Sequence, residues 1–155
     1  MATIERSIEV EVPVRVAYNQ WTQFEDFPKF MEGVQEVRQL DDKTVRWRAE
    51  IGGKEQEWEA EITEQVPDDR IAWRARSGKP NAGVVTFHRI ADSRTRIMLQ
   101  LDYEPEGVVE TLGDAVGMVS RRVEGDLKRF KEFVESRGRE SGAWRGEIRQ
   151  ERKTA

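Results

Sequence analysis

Side chains able to act as nucleophiles, general bases or metal ligands are few in this sequence. It contains no cysteine and a single histidine, His88. The lack of cysteine excludes disulfides, thiolate catalysis and cysteine-based zinc or iron–sulfur sites. One histidine excludes His-pair metal sites and leaves His88 as the only conventional general base near pH 7. If Phe87 points into the core, His88 points to solvent, which favours a surface histidine over a catalytic one. No metal site and no cofactor are expected.

Aromatic residues are the stronger signal for ligand contact. Trp47, Trp58 and Trp73 fall on predicted strands, on the same face of one sheet. Such side chains can stack on a flat ligand in an apolar pocket. They can equally fill the core, and both interpretations stay open at this point. No buried carboxylate pair is recognisable, because aspartates and glutamates fall almost entirely at turns or outward positions.

Composition and charge narrow the class of protein. The chain has 155 residues, with 26 basic and 30 acidic side chains and a net charge of −4. This balance argues against a nucleic-acid binder, which normally presents a basic excess on one face. Mean hydropathy is −0.77, and no apolar run approaches the ~20 residues of a membrane span. The first ten residues carry charges where a signal peptide is apolar. We expect one soluble, cytoplasmic domain without an integral membrane segment.

The order of elements is readable from periodicity and turn residues. Residues 3–12 alternate apolar and polar side chains, which predicts a strand. Helical spacing follows from Val14 to Trp21, and a second short helix is predicted over 24–31. From Val34 to Tyr103 turn residues recur every ~8–12 residues, which is typical of consecutive antiparallel hairpins. Six strands are predicted there, at 34–40, 44–51, 55–66, 71–77, 84–90 and 95–103.

The Gly52-Gly53 turn predicts the register of one hairpin. Two glycines suit the positive φ angles of a two-residue loop, so Ile51 pairs with Lys54. That register places Trp47 opposite Trp58, with arginines opposite glutamates on the other face. One side of the sheet is therefore apolar and the other charged, and the apolar side must be covered.

A long C-terminal helix is the predicted cover. Apolar residues recur at helical spacing from Leu112 to Val134, and the pattern extends over about 106–137. Gly138 is a plausible C-cap. Gly113 and Gly117 weaken the first half, by up to ~1 kcal/mol each relative to alanine. They could leave room for a ligand, or they could mark a tolerated kink or close packing.

A weakly specified helical segment is where a ligand entrance is expected. The sequence predicts the mouth of any cavity near the first half of the long helix, faced by the second short helix. The residues concerned are Leu112, Gly113, Val116 and Gly117 on the long helix, and Phe27, Phe30 and Met31 on the short one.

Residues 138–155 differ in composition from the rest. They are rich in glycine and charge and contain two large apolar residues, Trp144 and Ile148. This composition predicts a flexible charged tail following a domain of residues 1–137. Trp144 and Ile148 are four residues apart, so they could instead dock a short helix on a partner or on the domain itself.

The chain resembles the START-like superfamily, known as SRPBCC, in several segments over roughly residues 3–137. Within it, the resemblance is to bacterial polyketide cyclase/dehydrase and coenzyme Q-binding-like lipid transport proteins. The matching segments are IEVEVPV (8–14), AYNQW (17–21), FEDFPKFM (24–31), WEAEITE (58–64), PDDRIAW (67–73) and LDYEP (101–105). The resemblance implies an α+β helix-grip fold, like that of the birch-pollen allergen: a seven-stranded antiparallel sheet wrapped around the long helix, with an apolar cavity between them.

The resemblance also implies what the cavity residues would do. It adds Phe87 and Tyr103 to the expected ligand-contacting residues. In aromatase/cyclase members polar pocket groups orient and enolise a polyketide, and Tyr103 with Arg89 or Tyr18 would take that role here. A tyrosine at the rim of the sheet, with its hydroxyl in water, is the alternative.

Three functions are consistent with these observations. The first is binding or transport of a small hydrophobic ligand such as a lipid, a quinone or a polyketide-like aromatic. The second is catalysis as a polyketide cyclase/aromatase or dehydratase in the same cavity. The third is a protein-interaction module with a collapsed cavity. A small hydrophobic molecule is the expected partner; nucleic acid is not, and the oligomeric state is not predicted.

Overall fold

The computed structural model describes residues 2–51, 53–77, 81–103 and 112–149. Its strands are β1 (Ala2–Val10), β2 (Val34–Gln39), β3 (Thr44–Ile51), β4 (Lys54–Val66), β5 (Arg70–Ala75), β6 (Asn81–Ala91) and β7 (Arg94–Tyr103). Its helices are α1 (Val14–Trp21), a 3₁₀ helix (Phe24–Lys29) and α2 (Leu112–Arg137). The sequence predicts the last helix from about residue 106, and residues 106–111 lie outside the described ones.

The strands of the described residues form one antiparallel sheet in the order β1-β7-β6-β5-β4-β3-β2. The predicted hairpin register is confirmed, since Ile51 pairs with Lys54 and Trp47 with Trp58. Gly53 adopts a φ of 80°, as the tight turn requires. With the long helix on its concave face, this is the helix-grip fold, and the predicted fold class is confirmed.

Polar contacts between α2 and the edge strand β1 define the direction of the helix. A guanidinium nitrogen of Arg6 donates to the Ser120 hydroxyl. Further along, Lys131 donates to the Glu9 carbonyl at 2.9 Å, and the Glu11 N–H donates to a Glu135 carboxylate oxygen at 2.7 Å. Residue numbers rise together on both elements, so α2 runs parallel to β1. Its first turns therefore lead toward the end of the sheet where β7 finishes.

The middle of α2 also holds the corner between the 3₁₀ helix and β2. Asp126 accepts the Glu32 N–H at 3.0 Å, and Arg129 donates to the Phe30 carbonyl at 2.8 Å. Gly33 follows with a φ of 80°. A Cβ there would lie 2.7 Å from the Glu50 carbonyl oxygen, so only glycine fits this close approach of two chain segments.

Residues 138–149 correct one prediction from the sequence. The C-cap is as expected: Gly138 has a φ of 67° and its N–H donates to the Val134 carbonyl at 3.0 Å. The residues beyond it pack on the domain rather than forming a separate tail. Ile148 is buried and exchanges two main-chain hydrogen bonds with Gln65, of 2.7 and 2.8 Å. Residues 150–155 lie outside the described ones.

The segment docks because β4 is longer than its neighbour β3. Pairing between the two strands ends at Thr44 and Glu61, so the last residues of β4 have a free edge. An unpaired strand edge is normally covered, and here Ile148 covers it as an isolated bridge in extended chain. The predicted alternative that Trp144 and Ile148 dock on the domain is therefore confirmed for both, since Trp144 is partly buried against the core, but residues 138–149 contain no helix.

A buried polar cluster fastens the same segment to α1 and to the β4–β5 turn. Arg145 donates to Asp68 at 2.8 Å and to the Asn19 side-chain oxygen at 2.6 Å, and its guanidinium lies 5.5 Å from the centre of the Tyr18 ring. Gln65 donates to the Tyr18 hydroxyl at 3.1 Å. Burial raises the pKa of Tyr18, which therefore stays neutral. Asp68 adopts a φ of 62° at this turn.

Candidate functional site

The concave face of the sheet differs between its two ends. At the end covered by α1, the 3₁₀ helix and the second half of α2, the large apolar side chains are buried. These include Val10, Tyr18, Trp21, Val85, Phe87, Ile97, Phe130 and Val134. Edge-to-face aromatic contacts link many of them, such as Trp21 with Phe130 at 4.9 Å between ring centroids. This end is a packed core.

At the opposite end most of the large concave side chains are only half-buried, although Ile4 of β1 is buried there. The set comprises Trp47, Trp58, Trp73, Leu99, Leu101 and Tyr103. Register places them on one surface, because Trp47 pairs with Trp58, Ile62 with Trp73, and Gly83 with Leu101. Directly opposed residues share a face of the sheet. We call these six residues the open apolar face.

Two tryptophans form one side of the open apolar face. Trp47 and Trp58 stack with ring centroids 5.8 Å apart and planes only 4° apart. Trp47 also contacts Phe27, at 5.6 Å between centroids, and this contact anchors it to the packed core. Trp58 has no such second aromatic neighbour in the described part of the chain. The two rings are therefore stacked in parallel, with Trp47 held against Phe27 and Trp58 only partly buried.

The position of the third tryptophan, Trp73, depends on Gly83. A Cβ built at Gly83 would lie 2.5 Å from an indole carbon of Trp73 and 2.8 Å from the Gln100 carbonyl oxygen. The Trp73 ring therefore lies against the main chain of β6, in the space that any other side chain would occupy. Glycine in the interior of a strand often marks such a close approach.

Tyr103 supplies the polar atom of the open apolar face. Its hydroxyl is buried and, among the described residues, has no hydrogen-bond partner. Burial raises its pKa, so the hydroxyl is neutral and able to donate. Buried polar atoms are normally paired. Tyr103 ends β7, and residues 104–111, which come next in the chain, lie outside the described ones.

The remaining predicted site residues are not all brought to this end. Phe87 contacts Tyr18 and Trp21 in the packed core. Phe27 is buried, as is Phe30, which packs on Phe130 and Phe133 of α2 at 5.2 and 5.4 Å. Met31 is half-buried beside them.

The sequence predicted that the short helix faces the first half of α2, and this prediction is corrected for Phe30. Asp126 and Arg129 hold the corner after the 3₁₀ helix against the middle of α2, which places Phe30 under its second half. The predicted mouth residues Leu112, Gly113, Val116 and Gly117 belong to the first turns of α2. Their side-chain surroundings lie outside the described part, so their contact with a ligand stays a prediction.

The polar partners suggested for Tyr103 lie elsewhere. Tyr18 bonds with Gln65 in the packed core. Arg89 is exposed and paired with Asp92. Along β6, Arg89 pairs with Thr95 and Asn81 with Tyr103. Eight residues of strand therefore separate Arg89 from the level of Tyr103, which is ~26 Å at 3.3 Å per residue.

One residue that sequence reasoning missed lies at the rim of the open apolar face. Arg6 pairs with Leu99, so it shares the concave face with Ile4 and Ile8. Its guanidinium reaches Ser120 on α2. A signal was present in the sequence, because Arg6 occupies the apolar phase of the alternation in β1 between Ile4 and Ile8.

Other chemistries find no support in the described residues. Phe87 points into the core, so His88 is exposed on the convex face, where a ring nitrogen lies 2.9 Å from the Thr86 hydroxyl. No group of three or more His, Asp or Glu side chains there could hold a metal ion. No helix in the described ranges is long and apolar enough to cross a membrane.

A shallow depression of about 260 Å³ lies on the convex face. It is lined by small residues of β5 and β6, including Ala72, Ala82 and Val84, beside charged Arg74 and Asp102. It opens broadly to solvent and has a mixed lining, unlike the enclosed and mainly apolar sites that hold small molecules. The open apolar face is the better candidate site.

Known proteins similar to this chain share its fold. An uncharacterized 17.2 kDa protein of Streptomyces lincolnensis, from the melC2-rnhH intergenic region, is 52% identical over 149 residues, covering 96% of this chain and 99% of the relative. Among solved structures, the Zhui aromatase/cyclase of Streptomyces sp. R1128 has a TM-score of 0.75 at 16% identity, covering 92% of this chain and 99% of the other. A START superfamily protein of Mycobacterium smegmatis has a TM-score of 0.69 at 14% identity, covering 87% and 96%.

These two structural likenesses concern the fold alone. A sequence model matches residues 10–132, from the end of β1 into the second half of α2, and it describes polyketide cyclase/dehydrase and lipid transport proteins. The match includes β2 to β7 and most of α2, but only the last residue of β1. The chain belongs to the polyketide cyclase/dehydrase and lipid transport family.

Proposed function

We propose that this protein binds a small hydrophobic ligand between the open apolar face and the first half of α2. One observation carries the proposal: the large apolar side chains of the concave face are fully buried at one end of the sheet, whereas at the other end most of them are only partly buried. Covering the remaining apolar area of these tryptophans and leucines with a ligand would favour binding, because burying apolar area releases about 25 cal/mol per Å².

The geometry of the tryptophans favours a ligand with a flat or extended apolar body. The Trp47 and Trp58 rings are stacked and only partly buried, and offset stacking of a ligand on such a ring adds about 0.5–1.5 kcal/mol beyond the area buried. Trp73, which lies against the main chain of β6, belongs to the same face. Lipids, quinones and polyketide-like aromatics meet this requirement.

Tyr103 would orient the ligand. Its neutral, buried hydroxyl has no partner among the described residues and could donate to a carbonyl or hydroxyl oxygen. A site that buries an unpaired polar group discriminates against ligands that cannot pair with it. We therefore expect an oxygen function at one end of the apolar body.

Native mass spectrometry of protein freshly purified from its host tests the proposal. An apolar molecule that copurifies would identify the ligand class. In parallel, purified protein is titrated with a hydroxyanthraquinone while tryptophan fluorescence is followed. Trp73→Leu should weaken binding at least about tenfold, since stacking contacts of ~1.5 kcal/mol correspond to such a change. Trp144→Phe, a matched change on the docked C-terminal segment, should leave the affinity unaltered. Absence of both a copurifying molecule and any saturable quenching would contradict ligand binding and favour an interaction module.

A second function, catalysis as a polyketide cyclase or dehydratase, is favoured by the same tyrosine. A neutral phenol in an apolar site could hydrogen-bond a ketone and promote its enolisation. A linear poly-β-ketone thioester mimic is incubated with the wild-type protein and with Tyr103→Phe. A catalytic tyrosine predicts a cyclised product by liquid chromatography–mass spectrometry that Tyr103→Phe loses while binding persists. Product formation equal to that without protein would restrict the protein to binding.

A further inference from the structure

Arg6 is exceptional among the arginines on the strands of the described chain. The other strand arginines each have a carboxylate oxygen within 4.0 Å. Their partners are glutamates and aspartates mostly on the charged convex face, such as Glu57 for Arg46 and Glu9 for Arg96. Among the described residues Arg6 has no carboxylate partner, and its donors reach the Ser120 hydroxyl and the Glu5 carbonyl.

Its position is as unusual as its pairing. Arg6 lies on the concave face directly opposite Leu99 of the open apolar face, and next along that side of β1 is the buried Ile4. Arg6 is exposed at the edge of the sheet, and its side chain extends toward α2 rather than to the convex face. The contact with Ser120 holds the guanidinium in the gap between β1 and the helix.

The charge on the open half of the concave face has one sign. Among its described strand positions the ionisable cations are Arg6 and, by the Gly53 turn, Lys54. The glutamates of β3 and β4 and Asp102 of β7 alternate onto the convex side. Arg6 and Lys54 would therefore attract an anion to this surface. No carboxylate at the described strand positions of this face would repel it.

We propose that the ligand is an acidic amphiphile whose carboxylate binds Arg6 while its apolar body lies on the open apolar face. This inference rests on the proposed function and adds the ligand's charge and orientation. From β1 across β7 and β6 to β5 are three strand spacings, or ~14 Å. A body of that length extends from Arg6 over Leu99 and Leu101 to Trp73. Guanidinium is the group best suited to the carboxylate, because it donates two parallel hydrogen bonds.

Three probes with the same twelve-carbon chain test the charge: dodecanoate, dodecanol and dodecyltrimethylammonium, each below its micelle concentration. Binding is followed by tryptophan fluorescence and by isothermal titration calorimetry. We expect dodecanoate to bind about tenfold more tightly than dodecanol, in line with one charge-assisted pair at a partly exposed site. The cationic probe should bind most weakly. The preference for the acid should shrink as salt is raised.

Variants at Arg6 assign the preference to this side chain. Arg6→Gln should remove the difference between acid and alcohol while leaving dodecanol affinity unaltered, and Arg6→Lys should restore part of it. Arg96→Gln, an exposed arginine on the convex side of β7, is the matched control and should behave like wild type. Thermal unfolding of each variant verifies that it is folded.

The outcomes separate the two proposals. If wild type binds acid and alcohol equally, or if Arg6→Gln keeps the preference, the role of Arg6 is overturned and ligand binding stands. If none of the three probes binds, the proposed function itself fails for chains of this kind and the inference fails with it.

Discussion

The indole ring of Trp73 lies against the main chain of Gly83, in the space that a side chain at that position would fill. This contact joins β5 to β6 on the concave face, where Gly83 pairs with both Trp73 and Leu101. The position of Trp73 on the open apolar face thus depends on one glycine in the middle of a strand.

Gly83→Ala should therefore disturb both stability and the open apolar face. The new Cβ would meet the Gln100 carbonyl at 2.8 Å as well as the ring, so the backbone and not only Trp73 must shift. We expect a loss of about 1–3 kcal/mol in the free energy of unfolding, as for overpacking elsewhere. Urea denaturation measures the loss, and near-ultraviolet circular dichroism reports displacement of Trp73. An unaltered spectrum would contradict the contact.

The two ends of the concave face should respond differently to truncation of tryptophan. Trp21→Ala should cost about 3–5 kcal/mol, because its ring is buried among Phe27, Phe87 and Phe130. Trp58→Ala should cost only about 1–2 kcal/mol, since its ring is half-buried and loses one stacked partner. Unfolding midpoints in urea give both values. Equal losses would show that the open apolar face is packed like the core.

The C-terminal segment should contribute to stability. Ile148→Ala removes a side chain that is only 6% exposed and weakens cover of the free β4 edge, so we expect a loss of about 2–4 kcal/mol. The exposed neighbour Glu147 provides the control, and Glu147→Ala should be nearly neutral. Thermal unfolding at one protein concentration compares the two. A neutral Ile148→Ala would indicate a segment that does not stabilise the fold.

Stability should fall in acid because Asp26, which accepts a hydrogen bond from Ser141 of the C-terminal segment, becomes protonated. Burial alone would raise its pKa, but hydrogen bonds from Ser141, Lys29 and Gln20 outweigh burial and lower the pKa below the ordinary value of 3.8. A carboxyl whose pKa is lowered by folding contributes stability above its unfolded pKa and loses it as pH falls through the folded one.

Asp26→Asn measures this contribution, because the amide keeps the shape and does not titrate. The difference in unfolding free energy between wild type and variant should be constant above about pH 5 and shrink toward about pH 3. A difference that is independent of pH would contradict the assignment.

Amide hydrogen exchange tests the predicted entrance. We expect the fastest exchange in α2 between Leu112 and Gly117 and slow exchange beyond Val119, since glycines raise the local cost of the helix. An apolar ligand mixture should protect the first turns selectively. Slow, uniform exchange along α2 that a ligand does not alter would contradict both the entrance and the carrier function.

Local patterns in the sequence were sufficient for the order of elements and for one hairpin register, whereas the helix-grip arrangement was implied by the family resemblance. The Gly52-Gly53 turn set the β3–β4 register, and with side chains alternating every second residue this placed Trp47 and Trp58 on one face. Apolar spacing likewise predicted that the long helix ends at Arg137. These features depend on neighbours that are close in the chain, where spacing and turn geometry determine the outcome.

Tertiary structure alone decided which end of the concave face is fully packed and which is only partly buried in the described residues. Hydrogen bonds from Asp126 and Arg129 to the corner near Phe30 join residues about a hundred positions apart, and they place Phe30 under the second half of α2. The different lengths of β3 and β4 created the edge that Ile148 covers. The contact of Arg6 with Ser120 forms only because α2 lies beside β1 in the folded protein. Each of these contacts joins segments distant in the chain, and periodicity carries no information about such pairings.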